Sequence, residues 1–194
     1  MRVIAGTAKG RPLLSVPGDS TRPIADRVKS ALFSILQSQD AIRDSHWLDL
    51  FGGTGAVGIE ALSRGAAEVV FVERNHRAVR VIGQNLRNTG LADRSHVVRG
   101  DAFAYLRRPD LASFDVIYVA PPQYQGLWSQ ALLAIDGRRE LLAERGQAIV
   151  QIHPKEDDPA LLLQRLVRYD ERRYGSTLLA FYELQLNGPA EPQS

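Results

Sequence analysis

Asp49, Glu73 and Asp101 stand at the ends of three apolar runs, and each offers a carboxylate to a ligand. Asp49 leads into Leu50-Phe51-Gly52-Gly53-Thr54-Gly55-Ala56-Val57-Gly58, in which glycines 53, 55 and 58 fit G-x-G-x-x-G. Such glycines let the backbone turn tightly and let a ligand approach a helix N-terminus. Glu73 follows Gly55 by 18 residues, where a carboxylate can accept from ribose hydroxyls. The pair points to a nucleoside-containing cofactor. The alternative is a tight turn beside an exposed carboxylate.

Asp49 separates the candidate cofactors. Two residues before the loop, its charge would face the pyrophosphate of a dinucleotide, like against like. The same charge suits the ammonium group of S-adenosylmethionine. Asp101, at the start of a helical pattern, can accept from an adenine amino group while a nearby backbone N–H meets a ring nitrogen. It can also cap that helix, and the two roles are compatible. The expected cofactor set is Asp49, Phe51, Gly52, Gly53, Thr54, Gly55, Glu73, Arg74, Asp101 and Ala102.

The elements that position these groups alternate. Trp47–Phe51, Glu68–Glu73, Ser95–Arg99, Phe114–Val119 and Gln147–Ile152 read as buried strands. Helical patterns start at Ala25 or Asp26, span Gly55 to Arg64 with Gly65 as stop, follow an Asn75 cap, and open at Asp101. Two helical stretches are expected between Leu127 and Glu144, and another over Pro159–Val167. Tyr169–Tyr174 and Leu178–Leu186 lack a helix between them, so they must pair antiparallel. Alternation of this kind implies a parallel sheet covered by helices on both faces. Arg2–Ala5 and Arg11–Leu14, with Gly6 and Lys9-Gly10 between them, suggest a small N-terminal hairpin. Pro17-Gly18-Asp19-Ser20 reads as a loop.

With 194 residues, 44% of them hydrophobic, the chain suits one folded domain and not a disordered one. No run is long and apolar enough to span a bilayer, and the first nine residues lack a secretory pattern. Cysteine is absent, which excludes disulfide and thiolate chemistry. His46, His76, His96 and His153 form no spaced ligand set, so no metal site is expected. A cytoplasmic protein is the expectation. Residues 1–29 carry six bases and two acids, so at a net charge of +2 the remainder carries −2. A basic arm on a slightly acidic body suggests a polyanionic partner, although a solvated surface strand fits the charge equally well.

Taken together, Asp49-Leu50-Phe51-Gly52-Gly53-Thr54-Gly55, Glu73, Asp101-Ala102 and Pro121-Pro122 resemble the ordered motifs of class I S-adenosylmethionine-dependent methyltransferases. More narrowly, Arg2-Val3-Ile4-Ala5-Gly6, Lys9-Gly10-Arg11, Arg22-Pro23, Asp26-Arg27-Val28-Lys29 and Leu32-Phe33 resemble the N-terminal signature of RsmD-type enzymes. Glu60-Ala61-Leu62-Ser63-Arg64-Gly65-Ala66 and Tyr174-Gly175-Ser176-Thr177 agree, so the resemblance covers about residues 1–184. It implies a Rossmann-like α/β class I methyltransferase fold. The sheet would be mainly parallel and seven-stranded, with its last strand antiparallel. Residues 1–20 would form a basic hairpin extension, 21–186 the methyltransferase domain and 187–194 a disordered tail. It also implies methylation of the exocyclic N2 of a guanine in small-subunit (16S) ribosomal RNA.

The chain departs from the family after its fourth strand. The usual Asp or Asn, Pro-Pro and aromatic become Ala120-Pro121-Pro122-Gln123-Tyr124. Guanine N2 is a poor nucleophile because its lone pair is delocalised into the ring. Orientation within about 3–3.5 Å of the methyl group supplies much of the rate. Acceptors for the charge that develops on nitrogen supply more. Here the carbonyls of Ala120 and Pro121 and the Gln123 amide remain to accept. Losing one strong acceptor costs on the order of 2–4 kcal/mol, by analogy with an oxyanion donor. Ile24 and Ser30 also depart from the usual residues in the segment expected to cover the cofactor.

On the substrate side, the guanine must be unpaired or flipped out. Tyr124 is the candidate to stack on it; the alternative is packing against Trp128. Arg2, Lys9, Arg11, Arg22, Arg27 and Lys29 are the expected RNA-binding residues, setting register through phosphates. Arg168, Arg172 and Arg173 read as a solvated helix end; the alternative is that they extend the basic patch. The expected partner is ribosomal RNA or the small ribosomal subunit, with no membrane and a monomeric protein. Two other readings stay open. One is a methyltransferase on another nucleic-acid amine such as adenine N6. The other is a non-catalytic RNA-binding module that retains its cofactor, with Ala120 as the mark of the lost activity.

Overall fold

The computed structural model describes residues 1–17 and 24–185. Arg22, most of the expected loop at 17–20 and the expected tail at 187–194 lie outside them. Seven strands form one sheet: β1 (His46–Asp49), β2 (Glu68–Glu73), β3 (Ser95–Arg99), β4 (Phe114–Val119), β5 (Leu142–Ile152), β6 (Leu166–Tyr174) and β7 (Thr177–Leu184). Their order is β3-β2-β1-β4-β5-β7-β6. Strands β1 to β5 are parallel, and β7 runs antiparallel to both neighbours. Helices α1 (Asp26–Ser38), α2 (Ala56–Ser63) and α3 (His76–Thr89) cover one face, where Leu32, Ile59, Ile82 and Phe71 share a core. Helices α4 (Ala102–Leu106) and α5 (Leu127–Asp136) cover the other, around Leu50, Ile117 and Trp128. Burial on both faces explains why the central strands are apolar throughout and do not alternate.

Local chemistry sets where the elements start and stop. Gly55 enters α2 at φ +77°, and a Cβ on Gly58 would lie 2.4 Å from Cε1 of Phe71. Only a glycine at 58 lets α2 lie this close to β2. The Asn75 side chain accepts from the Arg77 amide and caps α3; the Asp101 side chain accepts from the Ala104 amide and caps α4.

Three sequence expectations change. Between Leu127 and Glu144 only α5 is an α-helix; a 3-10 turn at Arg139–Leu141 follows, and β5 begins at Leu142. Residues 159–167 form no helix. The Asp136 carboxylate takes the backbone amides of Gln164 (2.8 Å), Arg165 (2.8 Å) and Leu166 (2.7 Å), which holds the chain in an irregular path into β6. The N-terminal residues reverse direction as expected but form one antiparallel bridge, Arg2 to Pro12, instead of two strands. The Val3, Gly10 and Leu13 amides donate across the turn to the carbonyls of Arg11, Val3 and Met1, and other donors of the arm bind α2. The Ile4 and Ala5 amides bind the Glu60 carboxylate and the Ala8 amide binds Ser63 Oγ, so the arm is bonded to α2. Val3, Ala8 and Leu13 join the main core.

Candidate active site

The carboxyl ends of β1, β2, β3, β4 and β5 surround one cavity of about 390 Å³. This is where a parallel sheet presents its loops and binds ligands. Asp49, Glu73, Asp101, Ala120 and Gln151 line it, one from the end of each of these strands. Phe51, Gly52, Gly53, Thr54, Arg74 and Ala102 line it too. Gly55 does not; it shapes the turn from behind, packed against Ile59 and Ile82.

Asp49 is 2% exposed, and its Oδ2 accepts only a long hydrogen bond, 3.4 Å, from the Gly58 amide. Burial pushes its carboxyl up to about 8, the Gly58 amide works against that rise, and the Glu73 charge adds to it. A buried carboxylate so weakly partnered suits an incoming cation. Glu73 is held on both sides: Oε2 accepts from the Gly53 amide at 2.9 Å and Oε1 from the Asn75 amide at 2.7 Å. These bonds fix the carboxylate between the glycine loop and the start of α3, and each oxygen keeps a lone pair for a hydroxyl donor. Asp101 Oδ1 accepts from the Ala104 amide at 2.9 Å, so its capping role is present beside the cavity. Phe51 meets Phe103 edge to face, with ring centroids 6.4 Å apart, giving the cavity an apolar wall beyond β3.

The other side of the cavity is polar but uncharged. Ala120, Pro121, Pro122 and Gln123 line it after β4, together with Leu127 of α5. Tyr118, buried in β4, donates its hydroxyl to Gln151 Oε1 at 2.5 Å. Burial pushes the Tyr118 hydroxyl well above its ordinary value, and the nearby Asp49 charge adds to that, so it stays protonated. With its oxygen taken, Gln151 offers amide donors to the cavity. Tyr124 adopts φ +59°, is 65% exposed, and donates its amide to Glu156 Oε1 at 2.5 Å. Its ring lies 5.7 Å from that of His153 and not on Trp128, which is on the buried face of α5. Tyr124 thus stands outside the cavity wall, at the surface next to Gln123.

Among the expected RNA-binding residues, Arg2, Lys9, Arg11 and Arg27 are exposed. Lys29 is not. Its Nζ is fully buried, 3.3 Å from Glu60 Oε2 and 2.6 Å from the Arg2 carbonyl oxygen. The assignment of Lys29 to RNA is therefore corrected: its charge is needed inside, against Glu60. Arg168, Arg172 and Arg173 lie on strand β6 and not on a helix; Arg168 pairs with Asp157 and Glu171, and Arg172 with Asp170. Ile24, in the segment expected to cover the cofactor, lines the cavity; sequence reasoning missed Tyr118, Gln151 and Phe103 in its wall. Gln151 had a usable signal, because it lies near the end of a predicted strand.

Among the described residues no group of three or more His, Asp or Glu is placed to hold a metal ion, and no helix is long and apolar enough to cross a membrane.

The profile of a family described as "Conserved hypothetical protein 95" matches residues 1–183. A Bacillus subtilis (strain 168) protein named "Putative rRNA methyltransferase YlbH" is 36% identical over 185 residues, 94% of this chain and 98% of that protein. The Haemophilus influenzae "Ribosomal RNA small subunit methyltransferase D" is 29% identical over 94% of this chain and 93% of its own. A solved structure titled "Putative methyltransferase yhhF from Escherichia coli" superposes with a TM-score of 0.83 at 28% identity, covering 96% of this chain and 99% of that one.

Proposed function

Since the chain belongs to the family described as conserved hypothetical protein 95, of the RsmD type, we propose that it methylates the exocyclic N2 of a guanine in small-subunit ribosomal RNA, with S-adenosylmethionine as methyl donor. The observation that carries this reading is the row of carboxylates, Asp101, Glu73 and Asp49, around one cavity beside the glycine loop. When bound, S-adenosylmethionine supplies an electrophilic methyl group on a sulfonium.

The chain's own residues do the rest. Asp49 binds the donor's ammonium group, which restores the charge its burial suppresses. Glu73 binds the ribose hydroxyls, and Asp101 with the Ala102 amide binds the adenine edge. These residues would hold the donor in the same cavity that the loop after β4 lines. There the carbonyls of Ala120 and Pro121 and the Gln123 amide oxygen accept from the guanine amino group. They would orient the amine and stabilise the positive charge on N2 as the N–C bond forms and the donor's S–C bond breaks, the sulfur keeping that electron pair in the departing S-adenosylhomocysteine. The surplus proton leaves N2 through these acceptors to water. Pro121 and Pro122 stiffen the loop so that its carbonyls stay in place. Tyr124 stacks on the target base or its neighbour at the cavity rim. Arg2, Lys9, Arg11, Arg22 and Arg27 bind phosphates. The protein works in the cytoplasm as a monomer, on RNA and not at a membrane.

The test is transfer of tritium from labelled S-adenosylmethionine into under-modified small subunits, free 16S RNA, DNA and nucleosides, followed by nucleoside analysis. The expected product is N2-methylguanosine in small-subunit RNA. Label in adenine N6 or in DNA would contradict the substrate. A second reading, a non-catalytic RNA-binding module, draws on Ala120, which has no side-chain acceptor. Cofactor binding by calorimetry without transfer to any of these acceptors would favour it.

A further inference from the structure

Helix α3 carries a row of arginines that none of the roles above uses. Arg77, Arg80 and Arg87 are all exposed, whereas Ala78, Val81, Ile82, Asn85, Leu86 and Thr89 are buried. At 3.6 residues per turn the three arginines fall within about 80° of one another, on the face turned away from the sheet. Gln84 lies among them, and α3 contains no acidic residue. Among the described residues none of the three makes a salt bridge, while Arg64, Arg138, Arg168 and Arg172 each do.

Both ends of this row join features already described. At the N-terminal end, exposed Arg74 lines the cavity rim. At the C-terminal end, Arg11 of the arm donates from Nη1 to the Asn88 carbonyl oxygen at 2.8 Å. The arm is anchored there a second time, because the buried Asn85 side chain exchanges hydrogen bonds with the Leu14 amide (2.8 Å) and carbonyl (3.1 Å). The result is a continuous basic strip from the cavity mouth along α3 to the arm. From Arg77 to Arg87 it rises about 15 Å, long enough to meet several phosphates.

We propose that this face of α3 is a phosphate track for the RNA, and that Arg77, Arg80 and Arg87 carry the backbone between the arm and the cavity. The proposal rests on the ribosomal RNA reading above for the identity of the polyanion. Guanidinium groups without protein partners keep their donors for phosphate oxygens. A track of this kind positions the strand and reads no sequence. The same asparagine that anchors the arm also donates to the Thr54 carbonyl oxygen of the cofactor loop at 2.9 Å, so arm, track and loop share one support.

The test uses the full-length protein carrying Arg77→Gln, Arg80→Gln and Arg87→Gln together. Binding to an unmethylated 16S RNA transcript is measured between about 50 and 200 mM salt, alongside transfer kinetics on under-modified small subunits. Expected are a tenfold or greater loss of RNA affinity at low salt and a salt slope shallower by about 2, at roughly 0.7 per lost phosphate contact. KM for the RNA substrate should rise with kcat kept, and S-adenosylmethionine affinity should not change. A control variant, Arg43→Gln with Arg139→Gln and Arg145→Gln, removes the same charge from exposed positions elsewhere and should bind RNA as the wild type does. An α3 variant that binds RNA with wild-type affinity and slope would overturn the track. So would an equal loss in the control, which would reduce the effect to net charge. Failure of the function reading shows separately, as a wild type that binds the transcript but transfers no methyl group.

Discussion

Lys29 Nζ and Glu60 Oε2 lie 3.3 Å apart with both side chains fully shielded from solvent, and together they join three parts of the chain. Lys29 belongs to α1 and also donates to the Arg2 carbonyl oxygen; Glu60 belongs to α2 and also accepts from Arg64 Nε and the amides of Ile4 and Ala5. The N-terminal arm, folded back on itself by its own backbone bonds, is thus fastened to α1 and α2 through a buried charge pair. Lys29→Met leaves Glu60 with a buried charge short of one partner. We expect it to lower stability by about 3–5 kcal/mol in denaturant titration. Folded Lys29→Met protein should lose no phosphate contact, so its RNA salt slope should match the wild type. A variant of normal stability but shallower slope would return Lys29 to the RNA surface.

Asp49 makes cofactor affinity depend on pH. Burial holds its carboxyl protonated up to about pH 8, so below that pH an incoming ammonium group must expel a proton. Affinity for S-adenosylmethionine should rise by up to tenfold per pH unit from pH 6 and level off near pH 8. Calorimetry in buffers of different ionisation enthalpy should show close to one proton released at pH 6.5. Stability of the unliganded protein has the opposite sign. The native state holds a proton that the unfolded chain has released between about pH 4 and 8, so stability falls as pH rises through that window. Asp49→Asn should flatten both profiles and weaken binding. Affinity that ignores pH would contradict the role.

Glu73 should bind the ribose. Glu73→Ala removes hydrogen bonds to a charged acceptor, worth about 1.5–3 kcal/mol, or roughly ten- to a hundredfold in cofactor affinity. A donor analogue without ribose hydroxyls should lose a similar amount with the wild type and almost nothing further with the variant. Independent, additive losses would mean that the hydroxyls bind elsewhere.

Ala120→Asp restores a side-chain acceptor at the end of β4, facing the cavity. Turnover on under-modified small subunits should be retained or raised. The gain is bounded by the about 2–4 kcal/mol that one strong transition-state contact supplies. A folded, cofactor-binding but inactive variant would show that the main-chain carbonyls and Gln123 work in a geometry that a carboxylate disrupts.

The sheet, its helices on two faces and the cavity residues Asp49, Glu73 and Asp101 were legible because strand ends and glycine spacing are local features. What required the third dimension was the fate of polar groups far apart in the chain. Lys29 reads as one more base in a basic arm, yet it sits beside Val28 and Leu32 on the buried side of α1, opposite Glu60. Leu161-Leu162-Leu163 reads as helix, but Asp136, 28 residues from Gln164, takes the backbone donors that follow. Tyr118 reads as core, yet it lines the cavity and donates its hydroxyl to Gln151 at 2.5 Å. The arginines of α3 were visible as residues; their continuity with Arg11 and Arg74 was not.

The most direct measurement is a crystal structure of the protein with S-adenosylhomocysteine. The account predicts its amino group against Asp49, its ribose diol on Glu73 and its adenine beside Asp101 and Ala102, with the sulfur directed toward Ala120 and Pro121. A molecule bound outside this cavity, or reversed within it so that the ribose avoids Glu73, would contradict the account.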